Sequence, residues 1–171
     1  MLKQLLPDMH AHSIYEIDLD ELKERGVKGI ITDLDNTLIE WDRPGATPEL
    51  IKWFEKVEEK GFKLVIVSNN NKKRVSLFAD PLNIPFVFSA RKPFNKAFKR
   101  AQQMMELKPT EVVVIGDQLF TDVLGGNRLK LYTILVVPVA SSDGIFTRFN
   151  RRMERMALSF MRKRGMITWE D

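Results

Sequence analysis

Five short apolar runs recur along the chain: "GIITDL" at 29–34, "FKLVIV" at 62–67, "FVFS" at 86–89, "EVVVIG" at 111–116 and "LYTILVV" at 131–137. They are continuous rather than alternating, which is the pattern of parallel strands covered on both faces. Helix-like segments lie between them. Thr47 can cap one with Pro48 at its first position, Leu50, Phe54 and Val57 form its stripe, and Gly61 ends it. In "PFNKAFKRAQQMMEL", residues 93–107, Phe94, Ala97, Phe98, Ala101, Met104 and Met105 fall on one side and read as core. This alternation predicts an α/β, Rossmann-like, doubly wound parallel sheet of about five strands with helices on both faces. Ligands of such a fold bind outside the carboxyl ends of the strands.

The first run poses a physical problem. "IITDLDNTLI", residues 30–39, places Asp33 and Asp35 in an apolar stretch, where desolvation penalises a carboxylate. The same triplet recurs in "IDLDELKERG", residues 17–26, but there Asp18 followed by Glu21 reads as a helix cap with acids in the first turn. The buried copy needs a compensating partner.

Strand ends are the places to search for it. Asp33, Asp35 and Thr37 follow the first run, Ser68 and Asn69 the second, and "ARKP" with Lys92 the third. "GDQLFTD", with Asp117 and Asp122, follows the fourth. Each alone reads as a cap, a turn acid or a surface charge. Together, at successive ends of one predicted sheet, they form a constellation. In an extended segment residues 33 and 35 point the same way, about two strand rises of roughly 3.3 Å apart, so both can flank one ligand atom.

This order of motifs resembles the haloacid dehalogenase superfamily of phosphohydrolases, and the resemblance covers most of residues 27–137. "DLDNT" is similar to the family's Asp-x-Asp-x-Thr motif, Ser68 matches its second motif, Lys92 its third, and Asp117 with Asp122 its acidic fourth. Lys96 competes for the third position, but Lys92 directly follows the strand and precedes Pro93. The resemblance implies Asp33 as the nucleophile of an aspartyl-phosphate intermediate and Asp35 as general acid and then base. It implies Mg²⁺ bound by Asp33, Asp117 and the Asp35 carbonyl, with Asp122 beside it, and phosphate contacts from Thr37, Ser68, Asn69 and Lys92. These roles are chemically coherent, because a carboxylate attacks a phosphate dianion only where cations offset both charges. A carboxylate on the metal and one away from it differ in how readily they take a proton, giving one nucleophile and one proton donor.

Length and composition set the remaining bounds. With 171 residues, 44% of them hydrophobic, the chain reads as one domain over 1–171 with its core at about 27–140. The absence of cysteine excludes disulfides, thiolate metal sites and a thiol nucleophile. "MLKQLLPDMH" is too short an apolar stretch for a secretory signal and no run approaches a membrane span, so a soluble, cytoplasmic protein is expected. His10 and His12 read as solvated N-terminal residues rather than a metal pair, and Gly125, Gly126 and Asn127 as a weak point in a helix rather than a phosphate loop.

Residues 38–67 and 70–91 are filled by the expected helices and strands, leaving "IEWDRPGA" as a flap and no room for a cap domain. Trp41 and Arg43 in that flap read either as substrate contacts or, for Trp41, as a packing anchor. An open site suits a large or surface-bound phosphate monoester. Near the end of the chain, within residues 146–165, "RFNRRMERMALSFMRKRG" carries seven basic residues against Glu154. Phe149, Met153, Met156 and Phe160 recur at helical spacing, with Arg148, Arg151, Arg152, Arg155 and Arg162 on another face. The segment reads equally as a terminal helix packing its stripe on the domain or as an interfacial helix facing anionic lipid at the inner face of a membrane. A nucleic-acid partner has no recognised motif in its favour.

The finer resemblance, in "DLDNTL", "SNN" and the glutamine of "GDQLFTD", is to class III, capless bacterial phosphatases similar to mitochondrial phosphatidylglycerophosphate phosphatase. That implies phosphatidylglycerophosphate as substrate. The alternatives are a phosphoprotein or nucleic-acid end, or a receiver-like phosphoacceptor module, although receivers draw their paired acids and phosphorylated aspartate from different strands.

Overall fold

In a computed structural model, described over residues 2–140 and 145–169, the chain builds a six-stranded sheet with every pairing parallel. The strands are β1 (Met9–Ala11), β2 (Gly29–Thr32), β3 (Lys63–Val67), β4 (Phe86–Val87), β5 (Val112–Gly116) and β6 (Tyr132–Val136), in the spatial order β1-β6-β5-β2-β3-β4. The helices are α1 (Leu19–Glu24), α2 (Pro48–Glu59), α3 (Lys72–Ala79), α4 (Asn95–Met105), α5 (Leu124–Arg128) and α6 (Ile145–Lys163).

The five predicted strands are present, and β1 adds a sixth at the edge, with Met9 opposite Ile134 and Ala11 opposite Val136. Three residues with a histidine in the middle carry no apolar run. The same strand corrects the reading of His10 as a solvated terminal residue, since its ring stacks on Trp169 with centroids 5.0 Å apart. His12 is exposed, and among the described residues neither histidine joins a metal-type cluster.

Adjacent residues of the central strands feed opposite layers, as the strand period requires. Ile30, Ile66 and Ile115 face α1, α2 and α3, while Ile31, Val65 and Val114 face α4. On α2 the Thr47 hydroxyl accepts from the Leu50 N–H, and Leu50, Trp53 and Val57 are buried, with Phe54 half-buried beside them. On α4 the buried set is Ala97, Phe98, Ala101, Gln102 and Met105. Phe94 and Met104 are exposed instead, because Phe94 precedes the first helical residue and Met104 falls at the rim of the buried arc. Asp18 caps α1, its carboxylate accepting from the Asp20 and Glu21 N–H groups.

The chain runs outward from β2 to β3 and β4, then returns to β5 and β6 on the other side of β2. The strand order therefore reverses beside β2, where a doubly wound sheet opens a crevice at its carboxyl edge. Thr32 stands opposite both Ile66 and Ile115, so the residues that follow these three strands emerge along one line.

Gly125 and Gly126 are packing contacts. A Cβ on Gly125 would overlap the Phe98 ring of α4, and one on Gly126 would meet Thr133 on β6. Asn127 ties the same turn down, donating to the Gln4 and Leu6 carbonyls at 2.8 and 2.9 Å. Gly125→Ala is therefore expected to lower stability by about 1–3 kcal/mol through overpacking, read as a lower midpoint in urea with an unchanged slope.

Candidate active site

Four segments converge on the carboxyl edge of β2. The backbone leaves β2 with the Asp33 N–H donating to the Ile115 carbonyl at 3.0 Å, so Asp33 is still held by the sheet ladder. Asp117 follows β5 directly. Asp122 comes from a π-helical turn, Leu119–Val123, a form of helix often found at functional sites. Oxygens of Asp33, Asp117 and Asp122 all lie within 4.8 Å of one another. Gly116 makes this approach possible, because a Cβ there would overlap the Asp122 carboxyl.

The compensating charges arrive from elsewhere. Lys92 is buried, and its ammonium donates to Asp33 Oδ1 at 2.9 Å and to Asp122 Oδ1 at 2.6 Å. Lys96, the competitor from the sequence, is exposed. The loop that delivers Lys92 is pinned by Asn69, whose side-chain oxygen accepts from the Lys92 N–H at 2.7 Å. From α6, Arg151 donates to the Asp117 carboxylate and, at 2.8 Å, to the Asp117 carbonyl. Thr37 donates to the other Asp117 oxygen at 2.9 Å.

Asp35 stands outside the three-acid group. Its carboxylate accepts from Asn70 Nδ2 at 2.9 Å and from Arg74 Nε at 3.0 Å. Arg74 also donates to the carbonyls of Pro44 and Glu40, so one side chain holds both Asp35 and the predicted flap. Ser68 is buried, and its Oγ accepts from the Asn70 N–H at 3.1 Å. Trp41 is half-exposed at the flap, and Arg43 pairs with Glu40.

Titration follows from this geometry. Burial, and then the Asp33 charge, push Asp117 well above the usual carboxylate range despite Arg151. Burial likewise moves Asp122 up to about 6, with Lys92 working in the opposite direction. Burial alone would lower Lys92, but Asp122 and Asp33 outweigh it and hold the ammonium above its ordinary value. Asp35 is raised by burial, against the hydrogen bond from Asn70 and the charge of Arg74.

The donor set fits a small hard cation. Three carboxylates face two side-chain cations, and an all-oxygen cluster of this kind suits Mg²⁺ better than a soft metal. Beside Asp117 lies a cavity of about 810 Å³, walled by Leu119, Val137 and Val139 and by Arg148, Arg151 and Arg155 of α6.

The edge of the sheet thus gathers every residue singled out after the first four apolar runs. It adds Asn70 and Arg74, to which the sequence assigns no role, and Arg151, which the helical spacing groups with the outward basic face but which turns inward to Asp117 and Glu154. Asn70 was visible as the last letter of "SNN". Arg74 and Arg151 carried no local signal, since their partners lie 39 and 34 positions away.

Comparison with known proteins agrees with this arrangement. A haloacid dehalogenase-like hydrolase family model matches residues 30–95 and a related HAD-hydrolase-like model matches residues 89–140. A probable phosphatase, YqeG of Bacillus subtilis, is 63% identical over the full length of both chains. Phosphatidylglycerophosphate phosphatase 1 of Arabidopsis thaliana is 26% identical over 95% of this chain and 49% of its own. Among solved structures, the cobalt-bound deoxy-D-mannose-octulosonate 8-phosphate phosphatase of Haemophilus influenzae shares the fold, with a TM-score of 0.54 at 15% identity over 80% of this chain and 90% of that one. The chain belongs to the haloacid dehalogenase-like hydrolases and is a phosphatase of that superfamily.

Proposed function

We propose that the protein hydrolyses a lipid phosphate monoester, with Mg²⁺ as cofactor and Asp33 as nucleophile, and that phosphatidylglycerophosphate is the substrate. The observation that carries the chemistry is the Lys92 ammonium held between Asp33 and Asp122, with Asp117 in the same group. The lipid assignment is supported by the two plant and algal relatives named phosphatidylglycerophosphate phosphatase 1, and by an open sheet edge with only a short flap beside it.

Mg²⁺ would be held by the Asp33 and Asp117 carboxylates and the Asp35 carbonyl, where it supplies the positive charge that lets a carboxylate meet a phosphate dianion. The protein's own groups do the rest. Lys92 neutralises equatorial phosphoryl oxygens, and Ser68, Asn69 and Thr37 orient them or their ligands. An Asp33 oxygen forms a bond to phosphorus as the ester P–O bond breaks, and the Asp35 carboxyl gives its proton to the departing alkoxide. Asp35, now a carboxylate, takes a proton from water as that water attacks phosphorus, releasing inorganic phosphate and restoring Asp33. The raised protonation of Asp35 suits the first of these steps. Arg74 and Asn70 keep its carboxyl aimed, and Asp122 acts by holding Lys92.

Phosphate release from p-nitrophenyl phosphate tests the chemistry, and release from phosphatidylglycerophosphate vesicles tests the substrate. Asp33→Asn is expected to lower both rates by at least about 10³-fold, and Asp35→Asn by about 10²–10⁴-fold. Activity indifferent to Asp33→Asn would end the nucleophile assignment. A lipid rate below that on phosphopeptides or nucleic-acid ends would end the lipid one.

A second expectation concerns pH. Asp117, Asp122 and Glu154 all titrate above the ordinary carboxylate range, Asp122 at about 6 and Glu154 at about 7. The folded state therefore holds protons that the unfolded chain has already released. Their stabilising contribution is complete below the unfolded pKa and is lost as pH rises through about 6 to 7. Without Mg²⁺, the melting temperature should fall between pH 5 and pH 8. Because the cation competes with those protons, the increase produced by Mg²⁺ should be larger at pH 8 than at pH 5. Equal increases at both pH values would argue against binding at these acids.

A further inference from the structure

α6 turns its two faces to different environments. Glu154, Leu158 and Met161 are buried against the body of the protein, while Phe149, Met153, Met156 and Phe160 are 67%, 44%, 65% and 43% exposed. The exposed four are spaced 4, 3 and 4 apart, so they form one ridge within an arc of about 60° on the helix. The stripe expected either to pack on the domain or to face lipid therefore does not pack on the domain.

Cations border that ridge. Arg148, Arg152, Arg155 and Lys163 are exposed along one side, and on the other the Arg164 guanidinium lies 4.5 Å from the centre of the Phe160 ring. The acid of the helix, Glu154, is on the inner face, paired with Arg151 and accepting from the Phe120 N–H. The outer face is thus apolar and cationic, with Ser159 among the arginines and no acid. Four large apolar side chains in one row exceed the scattered exposure normal for a surface. Their basic border selects an anionic complement. A second copy is a poor complement, because a two-fold contact through this face would set arginines against arginines.

We propose that the outer face of α6 seats the protein on an anionic lipid bilayer, the helix lying in the plane of the interface with its apolar ridge inserted. No helix among the described residues is long and apolar enough to cross a membrane, so the contact is peripheral. The proposal deepens the lipid-substrate reading and rests on it for its purpose. The inner edge of α6 bonds Asp117 through Arg151, and Arg148 and Arg155 line the neighbouring cavity, so a seated helix brings the acidic cluster up to the lipid headgroups.

Cosedimentation of the full chain with phosphatidylcholine vesicles, with and without phosphatidylserine, tests this in the absence of Mg²⁺. Phosphatidylserine carries no phosphate monoester, so the assay reads the surface and not the active site. Hydrolysis of p-nitrophenyl phosphate by the same sample reads the phosphatase separately. Binding is expected to be at least about tenfold stronger with phosphatidylserine and to weaken in salt. The double variant Phe149→Ser, Met156→Ser and the double variant Arg152→Glu, Lys163→Glu should each lose it at an unchanged melting temperature. Equal binding to both vesicle types, no binding to either, or variants that bind like the parent chain would overturn the proposal. So would a dimer in sedimentation velocity that the apolar variant dissociates, since a second copy would then cover the ridge.

Discussion

Mutual repulsion among Asp33, Asp117 and Asp122, forced together at the carboxyl edge of a buried parallel sheet, is the constraint around which this end of the molecule is organised. Two cations offset it from opposite sides. Lys92 bridges Asp33 and Asp122 from the loop after β4, and Arg151 reaches Asp117 from α6. Neither is a surface ion pair of marginal worth. Lys92 is buried with its partners, and removing either side would strand a charge in a dry site, the costly form of a broken pair. The local architecture follows from this need: Asn69 fixes the backbone of Lys92, Gly116 admits the Asp122 carboxyl, and Thr37 takes up an Asp117 oxygen. Three carboxylates against two cations leave the cluster one negative charge in excess.

The split between Asp33 and Asp35 is the second consequence. Both come from one short segment, yet one faces Lys92 and the acidic cluster while the other faces Asn70 and Arg74. Two identical side chains two positions apart thereby meet different partners, which is what a nucleophile and a proton donor require. Arg74 extends this control to the flap through the Pro44 and Glu40 carbonyls, so that segment is fastened to the partner of Asp35.

Much of this was legible in the order of residues. A buried parallel strand announces itself by a continuous apolar run, so β2, β3, β5 and β6 were evident, and the polar residues after them marked the active edge. β1 was not, because three residues paired on one side need no such run. Lys92 could be preferred over Lys96 from its place next to the strand. Arg74 and Arg151 could not be assigned, since a charge on a helix looks the same whether it meets water or a carboxylate 34 or more positions away. The α6 stripe shows the limit of periodicity most clearly. Its spacing defines an apolar face, but only the position of Leu158 and Met161 on the other side shows which face the protein buries.

In the proposed reaction Asp33 carries the phosphoryl group from the ester to water. Rapid acid quenching during turnover with p-nitrophenyl phosphate, borohydride reduction of the acyl phosphate and peptide mass spectrometry tests it directly. Asp33 alone should be reduced, to homoserine, and only when substrate is present. Reduction at Asp35, Asp117 or Asp122 instead, or none during steady turnover under conditions that trap acyl phosphates, would contradict it.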